Sequence, residues 1–390
     1  MEDLQAIWWA GVRACLPERV VPPHLPQPPR GRTFVLAFGK AAAPMARAVE
    51  AHWAGPLTGL AVTRYGSAEP LSRIEVLEAA HPVPDAASVA AARRLLSLAA
   101  SAESDDLVLV LLSGGASALA CLPGEGLALA EKQQVTTDLL RSGAPINEIN
   151  CVRRHLSRFK GGRLAVAAAP ARLVTLAISD VLGDAPADIG SGPTVADATT
   201  VADAQAVLRR YNIAAPEHGW SETGKQVTGE YRMVASGTDA LAAAANEARR
   251  LGYSPVTLEC AGEARDIARE HARLALGAPP RTALISGGEL TVAVRGSGSG
   301  GPNHEYALAA ALALRGTNIR GLAGDTDGID GNSHTAGAFF DGATITDTAA
   351  AEAALAANDS APFLASRQAL FLTGPTGTNV NDLRILLTPP

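Results

Sequence analysis

The chain has 390 residues, more than one hydrophobic core usually spans, so two domains with a ligand cleft between them are expected. A net charge of −6 without any long run of lysine and arginine excludes an electrostatic footprint for nucleic acid. Its 47% hydrophobic content excludes disorder, and its acidic start and short apolar runs exclude a signal peptide or membrane span, so a cytoplasmic protein is expected.

In chain order, Leu4, Ile7, Trp8 and Val12 have helical spacing and predict a surface helix over Leu4–Cys15. The prolines of Val20–Pro29 force an extended connector. Thr33–Phe38 is an apolar run that reads as a buried strand, with Gly39 and Lys40 at its turn into a helix. A lysine there can anchor a phosphate or carboxylate, although most such lysines are simply solvated. After His81-Pro82, Asp85 reads as the N-cap of a helix. Leu107–Leu112 is a second buried strand, followed by Ser113-Gly114-Gly115-Ala116-Ser117, whose small residues and the hydroxyls of Ser113 and Ser117 suit an oxyanion. It is neither a Walker A loop nor a nucleophile elbow.

Arg153, Arg154, Arg158, Lys160 and Arg163 concentrate positive charge in an acidic protein, either to hold a carboxylate or phosphate or as a solvated helix face. Arg172–Ser179 is a third strand, ending at Asp180, Asp184 and Asp188; carboxylates at a strand end can orient a metal or a substrate proton, or merely cap turns. The polar segment Asn212–Tyr231 holds the expected boundary, giving domains at 1–225 and 226–390. Strands and helices then alternate again, and the strand over Thr282–Ile285 ends in Ser286-Gly287-Gly288-Glu289.

Leu290–Gly331 reads as strand, glycine-dense loop, helix, strand and acidic loop. Gly296, Gly298 and Gly301 satisfy G-x-G-x-x-G, with Gly300, Gly301 and the helix opening near Asn303 forming a candidate anion cradle. Asp325, at about the right distance, fits a dinucleotide ribose. Three acids within six residues, Asp325, Asp327 and Asp330, fit Mg²⁺ and phosphates better. Four cysteines, Cys15, Cys121, Cys151 and Cys260, form no C-x-x-C pair.

The blocks GKAAAPMA, HPVPD, LLSGGASAL, INCVRRHLSRFKGGRLA, ISDVLGDAPADIGSGPT, ISGGE, GSGSGGPNHE, GDTDGIDG and GPTGTNVNDL, in this order over nearly the whole chain, resemble the glycerate 2-kinase family of bacteria and archaea. The resemblance implies an α/β protein with an N-terminal Rossmann-like parallel-sheet domain, a smaller C-terminal α/β domain and the active site in the cleft between them. It implies transfer of phosphate from ATP to the 2-hydroxyl of D-glycerate with Mg²⁺, and a homodimer is counted among the expectations. The family's lysine falls on Lys40 and its acidic loop on Asp325, Asp327 and Asp330, while Pro302 stands where some members have arginine.

Catalytic roles are therefore expected for Lys40, Asp180, Asp184 and Asp327, and metal binding for Asp325, Asp327 and Asp330. Substrate or nucleotide binding is expected of Ser113, Gly114, Gly115, Ser117, Arg154, Lys160, Ser286, Gly288, Glu289, Gly300, Gly301, Asn303 and Glu305. The alternative is an NAD(P)-dependent hydroxypyruvate reductase using the Gly296–Gly301 loop. A non-catalytic nucleotide sensor would use the same loops.

Overall fold

Six-residue runs such as Thr33–Phe38 and Leu107–Leu112 carry no polar face to show to water, so both are strands buried along their whole length. A computed structural model describes all 390 residues, and its contacts divide the chain into two units. One comprises Pro17–Ser179 and Gly183–Val234; the other comprises Met1–Leu16, Asp180–Leu182 and Ala235–Pro390.

The first unit is built on β1 (Thr33–Phe38), β2 (Leu57–Arg64), β3 (Ile74–Ala79), β4 (Leu107–Leu112), β5 (Arg172–Ile178) and β6 (Glu230–Ala235), in the order β3-β2-β1-β4-β5-β6. Strands β3 to β5 of that order run parallel, with Phe38 level with Val62 and Leu112. This is the doubly wound order expected of a Rossmann-like domain, and its direction reverses between β1 and β4. A crevice at such a reversal is the usual ligand site, and the turns after β1 and β4 are Gly39-Lys40 and Ser113-Gly114-Gly115. Asp85 caps the helix Ala86–Ala100 with a reciprocal bond to Ser88, as its position predicts.

The second unit contains a mixed sheet of β7 (Ser254–Glu259), β9 (Thr282–Gly287), β11 (Arg320–Asp325), β12 (Gly337–Asp341), β13 (Leu370–Phe371) and β14 (Asp382–Leu387), in the order β13-β12-β11-β14-β9-β7. Only β7 and β9 pair in parallel. Alternate residues feed two cores: Leu383, Ile385 and Leu387 face a cluster with Trp8 and Leu241, while Leu386 faces one with Tyr306 and Leu308. Two short strands, β8 (Gly262–Glu263) and β10 (Leu290–Thr291), pair separately, so the strand expected before the glycine loop is only two residues long.

The expected domain limits differ from these units in three places, one of them Asp180–Leu182, which groups with the second unit. The helix Glu2–Ala14 lays Leu4, Ile7, Trp8 and Val12 into the core of the second unit, where the Trp8 indole N–H donates to Gly324 O at 3.3 Å. Apolar spacing announces such a helix but not which core receives it. At the other limit, β6 lies beyond residue 225 yet is hydrogen-bonded to β5 of the first sheet.

Candidate active site

Gly39 leaves β1 at φ +136°, a conformation that disfavours side chains, and a β-carbon there would fall 2.1 Å from Ser113 Oγ. The two turns therefore lock together: Lys40 N–H donates to Gly114 O at 2.7 Å, and Ala41 N–H to Ser113 Oγ at 3.0 Å. Gly115, also at positive φ, lies beside the His81 ring and the Lys40 stem. Lys40, half-buried, is thus held at the topological switch point by backbone geometry on both sides. Ser117 is brought to the same turn, and its hydroxyl continues through Ser191 Oγ at 2.7 Å to Asn150 Oδ1 at 3.0 Å, with Asn150 Nδ2 donating to Asp188 at 3.0 Å. Sequence reading assigned a role to Ser117 but none to Ser191 and Asn150, which stand inside two of the quoted blocks and are fully buried polar side chains.

Arg154 is taken up internally. Its guanidinium faces Asp197 at 3.2 Å and donates to Ala187 O at 3.0 Å, so the substrate role expected for it is not supported by a free charge. The Arg154 charge beside Asp197 in turn holds that carboxyl below its usual range, against burial. Lys160 is also buried, its ammonium donating to Ser117 O at 2.9 Å and Ala120 O at 3.3 Å. Asp184 belongs to this unit, in a left-handed turn at φ +53°.

In the second unit, the glycine loop corrects its own reading. Asn358 Oδ1 accepts from Arg295 N and Gly296 N at 2.7 and 2.9 Å, Asp359 accepts from Ser299 N at 2.9 Å, and Asn332 accepts from Gly300 N at 2.8 Å. Four of the loop's backbone donors are thus engaged by the protein's own side chains, and Gly298 N by Ala357 O. The helix Pro302–Ala313 likewise has its anion already: Asp330 accepts from Asn303 N at 3.0 Å, His304 N at 2.9 Å, Asn303 Nδ2 at 3.1 Å and His304 Nδ1. Gly301 is needed because a β-carbon there would meet Asp330 Oδ1 at 2.5 Å.

Glu305 is buried and bound to Arg265, Asn358 and Ser360, which fixes the loop rather than facing a ligand. Gly300 N, Asn303 N and Nδ2, and the Glu305 carboxylate are thus bonded within the protein. So is the turn at Ser286 and Gly288. Ser286 Oγ accepts from Arg384 Nε at 3.1 Å, and Gly288 O accepts from the fully buried Arg384 at 3.0 Å. The only signal for this was a charged residue inside the apolar run of β14. Arg384 also pairs with Asp382 at 2.8 Å; burial pushes the Asp382 carboxyl up while Arg384 pulls it down. Glu289 is exposed.

Mg²⁺ binds through one or two carboxylates together with phosphate oxygens. Asp330 does not fit that role, because a metal would displace four hydrogen bonds at a helix start. Asp325 and Asp327 fit it: they share one turn, shaped by Asp327 N–H to Asp325 Oδ1 at 2.9 Å and Ile329 N–H to Asp327 Oδ1 at 2.8 Å. Asp180 groups with this unit, where Asn379 Nδ2 donates to its carboxylate at 2.9 Å.

A doubly wound sheet with a lysine at its switch point, followed by a mixed-sheet unit with an acidic turn, defines a two-part α/β protein. Residues 3–219 match the domain of unknown function DUF4147, and residues 282–382 match the MOFRL family. The chain is 41% identical to the D-glycerate 2-kinase of Thermotoga maritima, over 96% of this chain and 95% of that one, and 40% identical to the glycerate 2-kinase of Pyrococcus horikoshii, over 92% and 88%. It is 46% identical, over 98% and 93%, to an Agrobacterium vitis protein provisionally named hydroxypyruvate reductase. A crystal structure described as glycerate kinase from Thermotoga maritima superimposes with a TM-score of 0.87 at 39% identity, covering 98% of this chain and 97% of that one. The chain belongs to the glycerate 2-kinase family.

Proposed function

We propose that the protein transfers a phosphoryl group from ATP to the 2-hydroxyl of D-glycerate, giving 2-phospho-D-glycerate. The observation that carries this reading is the near full-length identity to relatives named as glycerate 2-kinases, spanning both family domains. Phosphoryl transfer needs positioning and charge stabilisation more than covalent chemistry. Lys40 supplies a cation for the transferring group, with the Ser113 to Ser117 turn offering further donors. Mg²⁺ held by Asp325 and Asp327 would neutralise phosphate oxygens. Asp180 or Asp184 orients the attacking hydroxyl.

The reductase reading is weakened by the glycine loop, since donors that would bind a pyrophosphate are already bonded to Asn358, Asp359 and Asn332. A coupled assay with D-glycerate, ATP and Mg²⁺ tests the proposal, run beside NADH oxidation with hydroxypyruvate. Product accepted directly by enolase is expected. NADH consumption without phosphoglycerate would overturn the kinase reading. Lys40→Ala is expected to lower kcat by about 100-fold or more, and near-normal turnover would remove Lys40 from the mechanism.

A further inference from the structure

Three cations of the first unit line one pocket of about 140 Å³: Lys132 from the helix Leu129–Arg141, Arg153 from the helix Ile146–His155, and Lys160. Lys132 and Lys160 are almost wholly buried. Their hydrogen bonds go to neutral carbonyls. Lys132 donates to Arg153 O at 3.1 Å and Leu156 O at 2.6 Å, and Lys160 to Ser117 O and Ala120 O. Each ammonium has three donors, so one remains on each lysine. Arg153 makes a single 3.4 Å bond to Asn150, leaving most of its fork unused.

None of the three carries a carboxylate partner, whereas the neighbouring Arg154 faces Asp197 at 3.2 Å. The Cys121 thiol is also in the pocket wall. Clustered cations removed from water without a counter-charge are costly, and a bound anion relieves that cost. Consistent with this, burial lowers Lys132 to about 8 and Lys160 well below the ordinary lysine range.

The rest of the wall narrows the class of anion. Pro82, Val83, Pro84 and Leu140 are apolar, and the hydroxyls of Thr136 and Thr137 are bonded within their own helix. Apolar walls suit a short carbon chain better than a bare, strongly hydrated phosphate. We infer that the pocket of Lys132, Arg153 and Lys160 binds the carboxylate of a small organic acid. Resting on the proposed activity, that acid is D-glycerate, since Ser117 joins the pocket wall to the turn beside Lys40.

Calorimetric titration of the full chain without nucleotide tests this apart from turnover. D-Glycerate is expected to bind, propionate to compete, and Arg153→Gln to weaken D-glycerate at least tenfold while a non-hydrolysable ATP analogue binds within twofold of wild type. Arg153→Lys should recover most of the loss. Retained analogue binding shows that the variant is folded. Unchanged D-glycerate affinity in Arg153→Gln would overturn the assignment. Inorganic phosphate binding at this arginine in place of propionate would also overturn it. Arginine-dependent glycerate binding in a chain that makes no phosphoglycerate would uphold the pocket and leave the kinase reading to fall alone.

Discussion

Lys132 gives the residue scale a direct readout. Its neighbours Arg153, Lys160 and Arg163 add positive charge, with Cys121 the opposing group, and burial leads in lowering it from 10.5 to about 8. Between those values the unfolded chain holds a proton that the folded chain has released, so this lysine makes stability rise with pH across that window. Below it the buried ammonium is a standing cost. Thermal unfolding in anion-free buffer should therefore show a rise in Tm from pH 8 to 10 that is smaller in Lys132→Met. D-Glycerate affinity should fall over the same range, because the anion favours the charged lysine. Asp330 makes the opposite case. Asp330→Ala removes four bonds at a helix start and should cost about 3 kcal/mol in denaturant unfolding, with or without Mg²⁺. A stable variant that had lost only metal-dependent nucleotide binding would restore Asp330 as a metal ligand.

Single elements show how far a sequence can be read. The strands Thr33–Phe38 and Leu107–Leu112 were legible because every residue is apolar or small and every one is buried. By contrast, β2, β3 and β12 carry mixed patterns and leave no clear period. The glycine loop was legible as a tight turn and misleading as a phosphate site. Its partners Asn358, Asp359 and Asn332 lie more than thirty residues away, so only the fold reveals that its donors are engaged. Lys40 was legible as a lysine at a strand-to-helix turn, whereas the strand order that puts this turn at the switch point shows only in the fold. Lys132 was not, standing alone in an ordinary helix pattern. At this scale, Gly39→Ala should strain the turn and push against Ser113 Oγ, lowering both stability and turnover. Wild-type values in a thermal shift and the coupled assay would dismiss the locked turn.

Across the molecule, chain order and unit membership part company. The helix Glu2–Ala14 packs on the helix Gly237–Arg250, and Trp8 stacks edge-on against Phe371 at 4.9 Å. Trp8→Ala should therefore cost about 3–5 kcal/mol. The loss should appear as early proteolysis within 235–390, with 17–179 still protected. Early cleavage of the latter instead would mean that the helix supports the other unit.

This arrangement has a consequence for synthesis. The strand Asp382–Leu387 lies inside its sheet, between β11 and β9, so the surface that receives the helix Glu2–Ala14 is finished only after that strand, far later in the chain, has been made. At ordinary elongation rates that is a delay of roughly 20–70 s. Throughout it, Leu4, Ile7, Trp8 and Val12 form an apolar stripe on a nascent helix without its final core. Nascent-chain binders that recognise such stripes would find a target in this helix until the strand Asp382–Leu387 has been made.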